Sequence, residues 1–303
     1  MSTYARMVAD SISPSGVRLS TMEVRTRRFM LPEFNTHRAF SRNSASSRAI
    51  PLKKMLERAR NSAAFPAEFP REQKGMQGGE AISGGDLAYA EKVWRSAAAH
   101  AANGAWELGQ IGVHKSVANR LLEPFLWHTI VVTSTEWENF FEQRCSPLAQ
   151  PEIRELAELM RDAMEESEPQ NVRAGEWHLP YVGDDEETLD ALAGAVDAPA
   201  PWHLCVQVSA ARCARVSYLT QDGRRDVSED LALYRRLVSA KPGHWSPFEH
   251  VATPWAANHG GNIAIDDPEF PGLQDALARR PAVGNLLGWR SARLTMEIGG
   301  TFD

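Results

Sequence analysis

Residues 17–48 read VRLSTMEVRTRRFMLPEFNTHRAFSRNSASSR, and the fold turns on how that run is divided. Its first part, Val17 to Phe29, is rich in Val and Thr with apolar residues at alternate positions, the pattern of a half-buried strand. The alternation slips between Leu19 and Met22, which predicts a bulge or bend there. Pro32 then opens a short helical stretch, PEFNTHRAF, ahead of the polar run SRNSASSR. From Thr36 to Arg48, three arginines (Arg38, Arg42, Arg48) and five small hydroxyl residues (Thr36, Ser41, Ser44, Ser46, Ser47) crowd together. Small residues let a backbone approach a ligand closely, and their N–H groups beside a guanidinium make an anion site. On composition alone, a solvated Ser/Arg-rich loop explains the run equally well.

Outward from this run, Pro51 begins a helix, PLKKMLERARN. Residues 63–85 carry Pro66, Pro70 and five glycines, so they read as a loop or flap, longer than an ordinary connector and hence functional or mobile. Asp86 can cap a helix running to about Gly109. A second helical region covers 114–145, interrupted near Pro124, and a third starts at Pro151 with an apolar stripe of Ile153, Leu156, Leu159, Met160, Ala163 and Met164. Trp94, Trp106, Trp127 and Trp137 fall at apolar helical positions and read as core. The stretch CVQVSAARCARVSYL is apolar and buried by expectation, Ser228 caps a helix ending near Lys241, and HWSPFEHVATPW leads into a strand. Helix and strand mix without βαβ alternation, which predicts an α+β fold with an antiparallel or mixed sheet flanked by helices. The expected organisation is one catalytic domain, 1–303, made of blocks 1–165 and 200–303 joined by an acidic linker, 166–199.

The chain has 303 residues, 43% of them hydrophobic, enough for a large core. Its 33 basic and 39 acidic residues give a net charge of −6, which offers no general attraction to nucleic acid, so phosphate would be met at a local arginine cluster. There is no 18-residue apolar run and no signal-peptide pattern, so neither a membrane nor an export route is expected. Cys145, Cys205 and Cys213 are odd in number and lack CxxC spacing, which suits a reducing cytoplasm, that of a host if the chain is viral. The histidines are scattered without HExxH, no metal is expected, and His244 and His250 read as structural.

The spacing from His37 onward resembles the signature of flavin-dependent thymidylate synthases, R-H-R-x-x-S-x-N-x-x-S-x-R plus an aromatic residue. His37, Arg38, Ser41, Asn43, Ser46 and Arg48 fall in register, while Thr36, Ser44 and Ala49 stand where the family has Arg, Glu and an aromatic residue. His244 to His250, HWSPFEH, resembles the family's H-x-[ST]-P-F-E-H, and ARCARVSY, ending at Tyr218, its A-A-R-V-S-[YF] element. Asn139 to Ile153, NFFEQRCSPLAQPEI, resembles N-F-[FL]-x-L-R-x-x-x-x-A-Q-W-E-I. GVHKSVANRLLEP resembles a helix carrying a further nucleotide-binding Arg, which falls on Arg120 or on Asn119 depending on the end from which the register is counted. The usual order of these motifs is ARVSY, SPFEH, RHR, NFF–R. Here the last two come first, as in a circular permutation of one fold and as in long phage-type relatives.

The resemblance implies reductive methylation of dUMP at C5 with FAD, NADPH and methylenetetrahydrofolate, without a cysteine nucleophile, in a homotetramer with shared active sites. It assigns His37, Arg38, Asn43, Asn139, Ser217 and Ser246 to the flavin. Ser46, Ser47, Arg48, Arg120 and Glu33 go to the nucleotide, and Arg144 to catalysis at the pyrimidine edge. A guanidinium suits that last task because it stays charged and donates two hydrogen bonds. Two alternatives stand beside this one. The same scaffold can hydroxymethylate or otherwise elaborate C5 of a pyrimidine nucleotide, or a non-catalytic nucleotide- or DNA-binding protein can reuse the pocket.

Overall fold

The computed structural model describes residues 1–183, 186–193, 201–216, 226–255, 285–297 and 302. Strands β1 (Tyr4–Ile12), β2 (Arg18–Arg27), β3 (Ser41–Ser44), β4 (Trp127–Ser134) and β5 (Gln170–Asn171) form one mixed sheet in the order β3-β4-β2-β1-β5. All its pairs are antiparallel except β1 with β5. This is the α+β class expected, with helices on both faces.

Alternation along β2 and β4 decides which face meets what. Met22, Val24, Ile130 and Val132 turn one way, into a core with Phe34, Phe40, Trp137 and Phe140. Two helices close that face. The short α5 (Glu138–Arg144) and α6 (Pro151–Glu165) pack together, and Ile153, Leu156 and Met160 of α6 are buried as the stripe predicts. The opposite face carries Thr21, Glu23, Val131 and Thr133. Val131 joins a second core with Met55 and Leu56 of α2 (Leu52–Asn61) and Ala102 and Ala105 of α3 (Gly84–Gln110).

Several local expectations are corrected. The extra residue of the bulge is not in β2. It is Val8 in β1, where the pairing steps from Met7↔Met22 to Ala9↔Thr21. The alternation of β2 slips because Leu19, Ser20, Thr21 and Met22 are all buried, both faces being covered there. The region 114–145 is not helical throughout. After α4 (Lys115–Ala118) and a 3-10 turn over Asn119–Phe125 it becomes the central strand β4, whose IVV run is too short and β-branched for a helix. Trp127 therefore sits on a strand, and Trp106 on α3 is 48% exposed, whereas Trp137 is buried. Polar Ser41–Ser44 forms edge strand β3, held by β4. Ser83 precedes α3 and Asp86 lies in its first turn. Asp226, not Ser228, caps α9 (Val227–Ser239), accepting from the Glu229 N–H. Within 63–85, Pro70 and Ala81 form an isolated antiparallel bridge.

The later part packs around helix α8 (Pro201–Ala214), α9 and a 3-10 turn over Ser246–His250, with Val206, Ala210, Tyr234, Phe248 and Ala292 in a third core. Strands β6 (Ala252–Pro254) and β7 (Trp289–Ser291) pair, and helix α10 (Ala292–Glu297) follows. Asp230 is buried between Arg212 (2.8 Å) and Arg215 (2.5 Å). Within the stretch 166–199, Val172, Trp177, His178, Tyr181 and Val182 are buried, spread over several cores, and Glu186–Ala193 forms helix α7. Among the described residues no helix is long and apolar enough to cross a membrane.

The later part meets the sheet through a buried polar chain. Ser11 Oγ lies 2.8 Å from His178 Nδ1, His178 Nε2 lies 2.8 Å from Thr21 Oγ1, and Thr21 and Thr133 hydroxyls are 2.6 Å apart. Thr133 Oγ1 is in turn 2.8 Å from His250 Nδ1. Burial pushes His178 and His250 down to about 3, and burial reinforced by Arg28 does the same to His128. These imidazoles stay neutral in the fold, while in the unfolded chain they take up protons below about pH 6.5. Stability is therefore complete above that pH and declines as pH falls toward 3, with a limiting slope of about 4 kcal/mol per pH unit for the three together. Urea titrations between pH 7 and 4 measure this slope. His178→Gln should flatten it by about a third, and a slope no steeper in the parent protein than in the variant contradicts the assignment.

Candidate active site

From the short helix α1 (Leu31–Phe34) to Phe40 the chain makes consecutive turns, Asn35, Thr36, His37 and Phe40 N–H groups donating to carbonyls three or four residues back. Phe34 and Phe40 point into the core and anchor these turns. That sets the His37 ring edge-on to Phe140 at 4.8 Å, and Phe140 belongs to α5, whose last residue is Arg144. Arg144 donates from Nε to His37 Nε2 (2.9 Å) and from Nη2 to Thr36 Oγ1 (3.3 Å). An arginine can only donate, so His37 is neutral with its proton on Nδ1. Burial, aided by the nearby Arg144 and Arg42 charges, lowers its pKa to about 4. The sequence-predicted flavin contact and the sequence-predicted catalytic arginine are thus in direct contact, and Thr36 takes part although it departs from the motif.

A second locus is the turn Ser46-Ser47-Arg48. Ala49 and Ile50 N–H groups close it on the Ser46 carbonyl. Fully buried Asn119 donates to the carbonyls of Ser47 (2.6 Å) and Ile50 (3.0 Å). Of the two candidates in that stretch, Asn119 faces inward as a brace and Arg120 faces solvent. Glu123, unforeseen from the sequence, collects three donors on one oxygen: Ser47 Oγ (2.7 Å), Arg120 Nη1 (2.9 Å) and Arg28 Nη2 (3.0 Å). Only the Arg120–Glu123 spacing, i to i+3, was there to suggest it.

A third contact joins the two parts of the chain. Asn43 Nδ2 on β3 donates to the Cys213 carbonyl at 2.7 Å, and β3 packs on the Ser246–His250 turn. Arg42 donates to the carbonyls of Phe34 (3.3 Å) and His37 (3.2 Å), and Glu249 lies near enough to act on its charge. Glu249 also pairs with Arg293 of α10, so the residues after 285 brace the SPFEH turn. The motif segments expected to share a site are therefore in contact around β3. Arg38, Arg48, Asn139 and Ser246 are exposed, without a side-chain partner among the described residues. Glu33 is half-buried, and its Oε2 is buried with no donor. Ser217 lies outside the described residues.

A serine–arginine turn after β3 and a guanidinium held at the end of α5 thus stand on one sheet. Sequence comparison gives the class, that of enzymes acting at C5 of a pyrimidine nucleotide. Residues 13–170 match the family described as thymidylate synthase complementing protein, and the chain belongs to that family. Among solved structures it resembles the crystal structure of a UMP/dUMP methylase, PolB from Streptomyces cacaoi, bound with 5-Br dUMP. The TM-score is 0.44 and the identity 16%, over 54% of this chain and 90% of that one. Comparison with curated proteins finds no match.

Removing the Asn43 amide leaves a part-buried carbonyl without its donor, so Asn43→Ala should cost about 1–3 kcal/mol. Asn139→Ala, at an exposed side chain, should stay within about 0.5 kcal/mol of the parent. Chemical denaturation of the two variants side by side reads the difference.

Proposed function

We propose that the chain is a flavin-dependent thymidylate synthase, methylating dUMP reductively at C5 with methylenetetrahydrofolate and NADPH through FAD. The observation that carries this reading is the arginine at the end of α5. Its Nε and one Nη are fixed by His37 and Thr36, which leaves the other Nη free to donate. C5 of uracil is a weak nucleophile. A guanidinium at the O4/N3 edge stabilises the enolate form and moves electron density onto C5. Because Arg144 is held before substrate arrives, little reorganisation is needed at the moment of reaction.

The residues around β3 and α5 fit a bound flavin. Arg38, Asn139 and Ser246 are exposed donors, with Ser217 added by motif register, and His37 offers its Nδ1–H. Asn43 gives one amide N–H to Cys213, which leaves its oxygen and its second N–H for a ligand. On the nucleotide side, the unpaired Glu33 Oε2 is a buried acceptor without a donor, a costly arrangement that an N–H of the bound nucleotide relieves. When bound, the flavin supplies the hydride for reduction, and NADPH restores it. No thiol takes part. Cys145, beside Arg144, is held protonated chiefly by burial, and buried Cys213 is pushed higher still for the same reason.

Two further elements belong to the proposal. The motif order is read as a circular permutation, supported by the family match ending at residue 170 while HWSPFEH packs on β3 from beyond it. The active unit is read as a homotetramer whose sites combine residues of several chains. A second reading, C5 hydroxymethylation of a pyrimidine deoxynucleotide, is favoured by Thr36, Ser44 and Ala49, which alter the immediate surroundings of His37 and the Ser46 turn.

The purified protein should bind FAD, show a flavin spectrum and oxidise NADPH only when dUMP is present. Mass analysis of the nucleotide formed with methylenetetrahydrofolate separates thymidylate from hydroxymethyl-dUMP. Arg144→Ala should lower turnover about 100-fold or more with flavin retained. Arg48→Ala should instead raise the KM for dUMP about tenfold with little change in kcat. Full activity in both variants would sink these roles.

A further inference from the structure

The cluster beneath the Ser46-Ser47-Arg48 turn has a carboxylate at its centre, where an anion-binding site would be expected to hold none. Glu123 Oε1 receives the Ser47 hydroxyl, an Arg28 nitrogen and an Arg120 nitrogen, all within 3.0 Å. The four side chains differ sharply in exposure. Ser47 is buried, Arg28 and Glu123 are 13% and 21% exposed, and Arg120 is 54% exposed. Arg28 is held from behind as well, its Nη1 lying 2.9 Å from Nδ1 of neutral, buried His128. Among the described residues Glu123 is the acidic partner of both guanidiniums. The Ser47 hydroxyl and both Arg28 Nη nitrogens are therefore engaged, Arg28 Nε is buried without an acceptor, and Arg120 projects outward, fixed through a single nitrogen.

Resting on the nucleotide-binding reading above, we propose that Glu123 is a positioning residue. Anchored by Ser47 and Arg28, it fixes Arg120 beside the Ser46–Arg48 turn so that Ser46, Arg48 and Arg120 receive the 5′-phosphate of the substrate. Ser47 leaves the direct phosphate set by this assignment. Its hydroxyl proton points to Glu123, and its part is to tie the turn to the carboxylate. Charge supports the arrangement. Arg28 and Arg120 sharing one carboxylate leave a single positive charge in excess, and Arg48 adds a second on the open side, which together match a phosphate dianion. A free side chain of Arg length loses much rotamer freedom on binding an anion, and Glu123 removes that freedom beforehand.

Glu123→Gln keeps the shape and an acceptor oxygen but removes the charge. Binding is measured by calorimetry on the FAD-loaded protein, with dUMP and with deoxyuridine, which lacks the phosphate. The proposal expects dUMP to bind about tenfold more weakly in Glu123→Gln while deoxyuridine binding, flavin content and kcat at saturating dUMP hold. Once Arg120→Ala is present, adding Glu123→Gln should change dUMP affinity less than twofold, because Glu123 acts through Arg120. Ser47→Ala, a smaller change that keeps the ion pairs, should weaken dUMP binding in the same direction and serves if Glu123→Gln unfolds. Unchanged or tighter dUMP binding in Glu123→Gln, equal losses for dUMP and deoxyuridine, or full additivity with Arg120→Ala each overturns the proposal. A parent protein that binds dUMP no better than deoxyuridine overturns the underlying reading instead.

Discussion

Two threonine hydroxyls, Thr21 on β2 and Thr133 on β4, hold this structure in its working form. They lie side by side in the middle of a sheet, 2.6 Å apart and wholly buried. A pair of buried hydroxyls can satisfy only part of its hydrogen-bonding capacity internally, so further partners are required. His178 and His250 are those partners, and both come from beyond residue 170. Glu23, on the same face, is met in the same way by the Tyr181 hydroxyl at 2.8 Å. One face of the sheet is thus closed by an apolar core, and on the other this row of polar matches runs between the apolar contacts of Leu19 and Val131. Register is the result: a slip of one residue would turn Thr21 and Thr133 toward the Phe40–Phe140 core and strand every one of those bonds.

That fixed register is what aligns the chemistry. Because β3 pairs with β4 from Ser41↔Thr133 to Ser44↔Ile130, the turns before it deliver His37 to α5 and the turn after it delivers Ser47 to Glu123. Each guanidinium at these ends is oriented by a neighbour of opposite or neutral character, Arg144 by an uncharged imidazole and Arg120 by a carboxylate. The difference is chemically useful. A carboxylate beside Arg144 would offset its charge, whereas neutral His37 orients the group and leaves the charge intact.

The fold class, strand β2, helices α2, α3 and α6, and the cluster around residues 36–48 were legible because each is encoded locally, by periodicity, proline placement or motif spacing. What was not legible was set by partners distant in sequence. Ser41–Ser44 is too polar to read as a strand and becomes one only because β4 offers an edge. Trp127–Ser134 sits between helical signals that masked it, and the N-terminal strand β1 contains charged residues whose partners, Glu23 and Arg18, lie on β2. At the site, motif spacing named Arg144 and His37 but not their contact, and named Ser47 without the carboxylate that engages it. Glu123 and Arg28 were missed because a lone Glu in LLEP and an Arg in TRRF carry no pattern. Their meaning arises only where three segments meet.

The Asn43–Cys213 hydrogen bond spans 170 positions of the chain. During synthesis, which proceeds from the N-terminus, the strands up to Ser134 and helix α6 emerge long before α8 and the SPFEH turn exist. For that interval the nascent sheet shows solvent a strip of hydroxyls and one carboxylate with Leu19 at its end. Water can serve the polar part of such a strip until the remainder arrives, while Leu19 must wait for Val172, Ala252 and Trp289 to cover it.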